Sequence, residues 1–159
     1  MHVFCSREKL PEKTAHYSRS TCPLACALDL IGDHWTLLVI RDLLFLGRHE
    51  YKDMLNAEEG ISSNVLSDRL KNLEENGLID SIPHPENGRR KLYYLLPKGK
   101  DLIHVLTHLA QWSDKHLNDL VDIPPEKRAM LIKHPDKLIE IVLKDLETWE
   151  KAFLRPFHE

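Results

Sequence analysis

Apolar positions recur at helical spacing through most of this chain and change to strand-like runs in one short region. Leu24, Ala27, Leu28 and Ile31 share a helical face behind Pro23, which suits a first helical position after Thr21 or Cys22 as cap, and Gly32 closes the segment. Asp33 is placed to cap a second helix. Its Trp35, Leu38, Val39 and Leu43, flanked by Leu37, Ile40 and Leu44, leave little polar face, which predicts a central core helix ended by Gly47. Tyr51, Met54 and Leu55 mark a short third helix that stops near Gly60. A fourth begins at Ser62, buries Val65, Leu66, Leu70 and Leu73, and stops at Asn76-Gly77, a left-handed cap signal. Leu78, Ile79 and Ile82 then read as a strand, and Leu92 to Leu96 as its partner. Between them lies the basic stretch His84 to Lys91, with Asn87-Gly88 as the turn signal.

Pro97 opens the next helix, predicted to run from about Lys98 to Val121. Leu102, Leu106, Leu109 and Leu117 form one stripe on it, and Ile103, Val105, Ala110 and Trp112 broaden that stripe. A helix this apolar on two faces asks for a partner beyond its own small domain. Pro124-Pro125 is a break. Residues 126–154 read as one or two further helices interrupted at His134-Pro135, with Ile139, Val142, Leu143, Leu146, Trp149 and Phe153 on the apolar face. The predicted fold class is mainly α with a small β-hairpin (α+β): a winged helix-turn-helix with additional dimerisation and C-terminal helices. Three segments follow: a polar N-terminal arm at 1–21, a winged helix-turn-helix DNA-binding and dimerisation domain at 22–121, and a helical C-terminal extension at 122–159.

Composition narrows the function. The formal net charge is −3, so attraction to nucleic acid must come from a local patch. No apolar run approaches the roughly 18 to 20 residues that span a bilayer, so no membrane partner is expected. The three cysteines, Cys5, Cys22 and Cys26, are few and odd in number, and the N-terminus has no apolar leader; reduced thiols and a cytoplasmic location are expected. There is no G-x-S-x-G, P-loop, H-E-x-x-H or dinucleotide glycine fingerprint, so neither an enzyme nor a cofactor is expected.

The fourth helix and the hairpin carry the chemistry. A major groove admits one α-helix, and short polar side chains on its outer face can reach base edges. Ser63, Asn64, Ser67 and Lys71 occupy that face, while Ser62 serves equally as cap or contact. Between Pro83 and Lys100, Arg89, Arg90, Lys91, Lys98 and Lys100 oppose a single Glu86. A cationic hairpin beside a groove-sized helix predicts binding of double-stranded DNA. Arg69 is read as a further phosphate contact, with an ion pair to Glu74 or a neighbouring acid as the alternative. The rival reading is a winged-helix protein-interaction module that does not bind DNA; Glu50, Asp68 and the negative net charge favour it.

The residues also resemble a family. The run from Cys22 to Leu43, with Pro23, Gly32, Trp35, Arg41 and Asp42, resembles the opening of HxlR-type winged-helix transcriptional regulators. Gly60 to Ser62, Leu66, Arg69, Leu70, Leu73, Glu74 and Gly77 to Ile79 are similar to the recognition-helix pattern of the same family, and Tyr93, Leu95, Lys98 and Gly99 to its wing end. The resemblance spans about Cys22 to Leu117. It implies a homodimeric, sequence-specific regulator on a pseudo-palindromic operator, with the first helix and the helix after the wing forming the dimer interface. This chain departs from the pattern at Asp33-His34, where a small residue and a lysine are common, at Glu50, where an arginine is usual, and at Leu96, which replaces a threonine cap. Facing DNA, Glu50 would repel the phosphate backbone.

Cys22 matches a cysteine that some relatives use against oxidants or electrophiles. Its place at a helix N-terminus favours thiolate, so it is the candidate redox sensor, with an oxidant or small molecule as effector. The plainer reading is a small buried apolar residue near the interface. Cys5 is a possible resolving thiol and Cys26 is expected in the core. Asp101, His104 and His108 share a helix face, but with ten histidines in the chain this is read as the polar rim of the dimer helix, not a metal site. Trp35, Trp112 and Trp149 are all expected to pack in the core.

Overall fold

The computed structural model describes residues 21–154, so the N-terminal arm and Cys5 lie outside the described residues. The chain order is α1 (Pro23–Ile31), α2 (His34–Phe45), α3 (Tyr51–Leu55), α4 (Ser63–Glu75), β1 (Ile79–His84), β2 (Asn87–Leu95), α5 (Pro97–Lys100), α6 (Leu102–His116), α7 (Pro125–Lys133) and α8 (Pro135–Phe153). Helices α3 and α4 with the antiparallel β1–β2 hairpin form a winged helix-turn-helix; α2, α6 and α8 pack behind it. None of the helices among the described residues is by itself long and apolar enough to cross a membrane.

Local chemistry sets most boundaries. Asp33 caps α2 by accepting the N–H groups of Trp35 and Thr36 at 2.9 and 3.1 Å. Ser62 caps α4 through a 3.4 Å bond from the Val65 N–H. At the other end of α4, Gly77 adopts φ +66°, a left-handed conformation that costs little only without a Cβ. The Gly77 N–H then reaches the Glu74 carbonyl and the Leu78 N–H the Leu73 carbonyl, closing the helix and turning the chain into β1.

The main core joins α2 (Val39, Ile40, Leu43, Leu44), α4 (Leu66, Leu70, Leu73), the hairpin base (Leu78, Ile79, Leu95), Ile103 of α6, and Ile139 and Leu146 of α8. A smaller cluster forms where Ile82 and Leu92 of the wing meet Leu154, with Tyr94, Trp149 and Phe153 packed around them. The C-terminal helix thus lies against the wing. Trp149 stacks on the buried His49 ring at 3.6 Å with a 10° interplanar angle. The His49 Nδ1–H donates to the Tyr93 carbonyl, and the Tyr93 N–H donates back to the His49 carbonyl at 2.8 Å. Burial holds the His49 imidazole below its ordinary pKa, against the opposing pull of the Tyr93 bond. Lys100 and Glu150 pair at 2.7 Å and tie α5 to α8.

Four expectations are corrected. The turn falls at Pro85-Glu86, not Asn87-Gly88: β2 starts at Asn87, and neither Asn87 nor Gly88 takes a positive φ. Pro85 presets the negative φ of a tight turn, and the pairing then slips between Pro83 and His84. Pro83 pairs with Lys91 and His84 with Asn87, which leaves Gly88, Arg89 and Arg90 without a register partner on β1. The helix after the wing does not run unbroken from Lys98 to Val121. It divides at Asp101 and ends at His116, where Leu117 leaves helical geometry with ψ +28° ahead of an irregular run to Pro124. Finally, Trp112 is 55% exposed and Cys26 is only half-buried, so neither is core; helix α1 contributes no fully buried residue at all. Trp35 and Trp149 are partly buried against the two clusters as expected.

Candidate nucleic-acid interface

Helix α4 buries Leu66, Leu70 and Leu73, and the same periodicity turns Ser63, Asn64, Ser67 and Lys71 outward. All four are exposed, as is Ser62, whose hydroxyl is already used as the cap. The turn before α4 passes through Gly60 at φ +73°, which lets the chain reverse while Ile61 drops into the core. Tyr51 of α3 locks the two helices: its hydroxyl donates to the Ser63 carbonyl at 2.9 Å and shares a 3.1 Å hydrogen bond with Ser67 Oγ. Nothing in the sequence pattern singled out that tyrosine beyond its apolar place on α3.

The wing flanks this helix. A groove of about 420 Å³ opens between α3 and β2, lined by Glu50, Tyr51, Lys52, Arg89, Arg90, Lys91 and Tyr93. Its cations are not equally available. Arg90 gives both Nε (2.7 Å) and Nη2 to one oxygen of Glu50. That guanidinium holds the Glu50 carboxyl below the usual carboxylate range, against a smaller upward push from burial. Lys91 lies 3.9 Å from Glu74 and Lys71 3.8 Å from Glu75. Lys98 donates to the Asn76 carbonyl at the end of α4. Arg89 is exposed, and its side chain has no ion-pair or hydrogen-bond partner among the described residues.

Arg69 points the other way. Its Nη1 reaches Asp33 at 3.1 Å and its Nη2 bonds Asp68, so it clips α4 to the start of α2; the ion-pair alternative is realised with neighbouring acids and not with Glu74. The side chain leaves α4 on the face between the buried leucines and the outward serines, within reach of both Asp33 and its neighbour Asp68. Glu74 instead accepts from Ser81 Oγ. A second clip holds α2 to the α3–α4 turn: Arg41 binds Glu59 and Asp42, and its hydrogen bond holds the Glu59 carboxyl at about 2. The pairings Glu50–Arg90, Asp33–Arg69 and Arg41–Glu59 join residues 18 to 40 positions apart and have no signature in spacing.

Cys22 is half-buried at the N-cap of α1 and carries a thiol, as does Cys26. His108 Nδ1 bonds the His104 carbonyl within α6, and no group of three metal-ligating side chains occurs among the described residues. Two helices keep apolar faces that no other described element covers: Leu24 (70% exposed) and Leu28 (64%) on α1, and Val105, Leu109 and Trp112 on α6.

Comparison with known proteins agrees with this geometry. The sequence model of the HxlR-like helix-turn-helix family matches residues 30–121. An uncharacterized HTH-type transcriptional regulator of Mycobacterium tuberculosis is 38% identical over 91 residues, which cover 57% of this chain and 56% of the relative. The chain therefore spans little more than half the length of that relative. Among solved structures, PA1607, a candidate transcription factor, aligns at TM-score 0.56 and 35% identity over 70% of this chain and 73% of its own. The reduced form of the transcriptional regulator YodB from Bacillus subtilis aligns at TM-score 0.50 and 30% identity, over 60% and 93% respectively.

Proposed function

The chain belongs to the HxlR-like helix-turn-helix family of transcriptional regulators, and on that premise we propose that it binds double-stranded DNA as a homodimer at a pseudo-palindromic operator. The observation that carries this reading is the continuity of one surface. The outward residues Ser63, Asn64, Ser67 and Lys71 of α4 adjoin, through Tyr51, the groove edged by Arg89, Arg90 and Lys91. Helix α4 supplies a groove-sized rod with short polar side chains for base edges, and the wing supplies charge for phosphates. The exposed apolar faces of α1 and α6 suit a second copy of the chain, which would set two such surfaces on one side of a duplex.

Within this reading Asn64 reads bases and Arg89 positions the duplex. Arg69 is a positioning residue, since Asp33 and Asp68 already hold it. Cys22, at the start of a helix in the proposed interface, is the site through which an oxidant or electrophile would act; a relative, YodB, has been solved in a defined reduced form. The protein acts as a cytoplasmic regulator and not as an enzyme. The internal pairing of Arg90, Arg69 and Lys91 with acids favours a second reading, a winged-helix module that binds protein and not DNA.

A salt titration with generic duplex separates the two. DNA binding predicts log affinity falling linearly with log salt, by about 0.9 per phosphate engaged. No binding at low salt would remove the first reading. Asn64→Ala in a binding-site selection should change the preferred bases; an unchanged preference would show that Asn64 reads none.

A further inference from the structure

The groove beside the wing has the geometry of an anion site whose anion is supplied by the protein. The Glu50 carboxylate lies in a ring of nitrogens: Arg90 Nε at 2.7 Å and Nη2 on one oxygen, and Lys52 Nζ and His84 Nε2, each at 3.8 Å, on the other. Its position is set by backbone as well as side chain, because Glu50 bridges to Leu92 of β2. The Arg90 side chain is 38% exposed and Glu50 17%, so the pair lies at the protein–water boundary, where an incoming phosphate can reach the guanidinium. Arg89 and Arg90 stand in the stretch of β2 that has lost its register partners, so their side chains can re-aim without breaking the ladder.

We propose that Glu50 is an intramolecular competitor for DNA phosphate. It occupies the Arg90 fork in the DNA-free protein, so a duplex must displace it to engage the wing fully. This rests on the duplex-binding reading above and names how that site is regulated. A guanidinium fork matches carboxylate and phosphate equally well. While Glu50 holds it, Arg90 contributes little net charge to the surface, and with Lys91 near Glu74 the wing's attraction falls chiefly to Arg89. The pairing therefore lowers affinity for all sequences alike and leaves base recognition by α4 to decide where the protein stays. A brace that merely fixed the wing would have the opposite consequence, since loosening it would weaken binding.

The test compares the full-length protein with Glu50→Gln, Arg90→Ala and the double variant, binding a labelled generic duplex across a salt series. Glu50→Gln keeps the shape and the backbone bridge but removes the charge. It is expected to bind up to about fivefold tighter at moderate salt, the reach of one partly exposed ion pair. Its salt slope should steepen by about 0.9, one added phosphate. In the Arg90→Ala background the same substitution should leave the salt slope unchanged, because no guanidinium is freed and only Glu50's own repulsion of the backbone is relieved. Glu50→Ala, which vacates the place by another route, should change affinity in the same direction. If the wild-type protein binds duplex but Glu50→Gln binds no tighter, or steepens the salt slope equally without Arg90, the competitor is refuted while duplex binding stands. If none of the five proteins binds duplex at any salt, the proposed function fails and this inference with it.

Discussion

Asp33 joins the start of the central helix to α4, and its removal should be costly in a way that can be divided. One carboxylate accepts the Trp35 and Thr36 N–H groups at 2.9 and 3.1 Å and the buried Thr36 hydroxyl, and it pairs with Arg69 of α4 at 3.1 Å. Losing a helix N-cap costs about 1 kcal/mol. The Arg69 pair, with both side chains roughly one-quarter to one-third exposed, is worth at most about 1 kcal/mol. A hydroxyl left without its acceptor adds about 1 kcal/mol, at the low end because Thr36 can turn to a backbone carbonyl. Asp33→Ala should therefore lose about 2–3 kcal/mol, or roughly 4–12 °C in Tm for a chain of this size. Asp33→Asn keeps a good cap and loses mainly the ion pair, so about 1 kcal/mol or less. Urea unfolding followed by circular dichroism measures both. Burial pushes this carboxyl upward, but the Thr36 and Trp35 hydrogen bonds and Arg69 together hold it below its ordinary 3.8. The folded value is the lower one, so the contribution is complete above 3.8 and is lost as the pH falls through the folded value. The gap between wild type and Asp33→Ala should narrow on acidification. Equal losses for the Asn and Ala variants, or a gap that does not change with pH, would refute the reasoning.

Other consequences are as specific. Trp149→Ala removes the stack on His49 and Phe153 and should cost about 2–4 kcal/mol, below a fully buried Trp because the ring is only half-buried; amide exchange should quicken in β1 and β2 more than in α4, and equal exchange would mean α8 does not brace the wing. Trp112→Glu replaces an exposed side chain and should change monomer stability by no more than about 0.5 kcal/mol. It should convert a dimer to a monomer in analytical ultracentrifugation, and identical species for both proteins would remove α6 from the interface. Glu59, held at about 2 by Arg41, stabilises the fold fully above 4.5 and loses that contribution as the pH falls toward 2. Glu59→Gln should flatten this part of the acid limb of stability against pH, and superposable limbs would contradict it.

Sequence pattern was most informative where one residue acts on its own backbone. Asp33, Ser62 and Gly77 perform the capping roles their identities imply, and the leucines of α4 face the core at the positions their spacing demands. It was less informative where two signals competed. Asn87-Gly88 is a strong hairpin turn, yet Pro85 two residues earlier reverses the chain first and leaves the arginines in a slipped strand. Amphipathic breadth did not reveal which side of α6 is covered: Ile103 and Thr107 are buried, while Trp112 is exposed. The site's electrostatics were the least legible part. A run of arginines and lysines reads as open charge, but Arg90 belongs to Glu50 and Arg69 to Asp33, pairings made only by the tertiary fold. Glu50 could be recognised as out of place for a DNA-facing acid; its partner could not.

The central claim is that α4 and β2 together hold a duplex. Hydrogen–deuterium exchange of the full-length protein, with and without an excess of duplex, tests it most directly. The account predicts slowed exchange concentrated at residues 62–71 and 87–93, with α7 unchanged. Exchange that slows elsewhere and leaves those two segments untouched, or that does not respond to duplex at all, would contradict it.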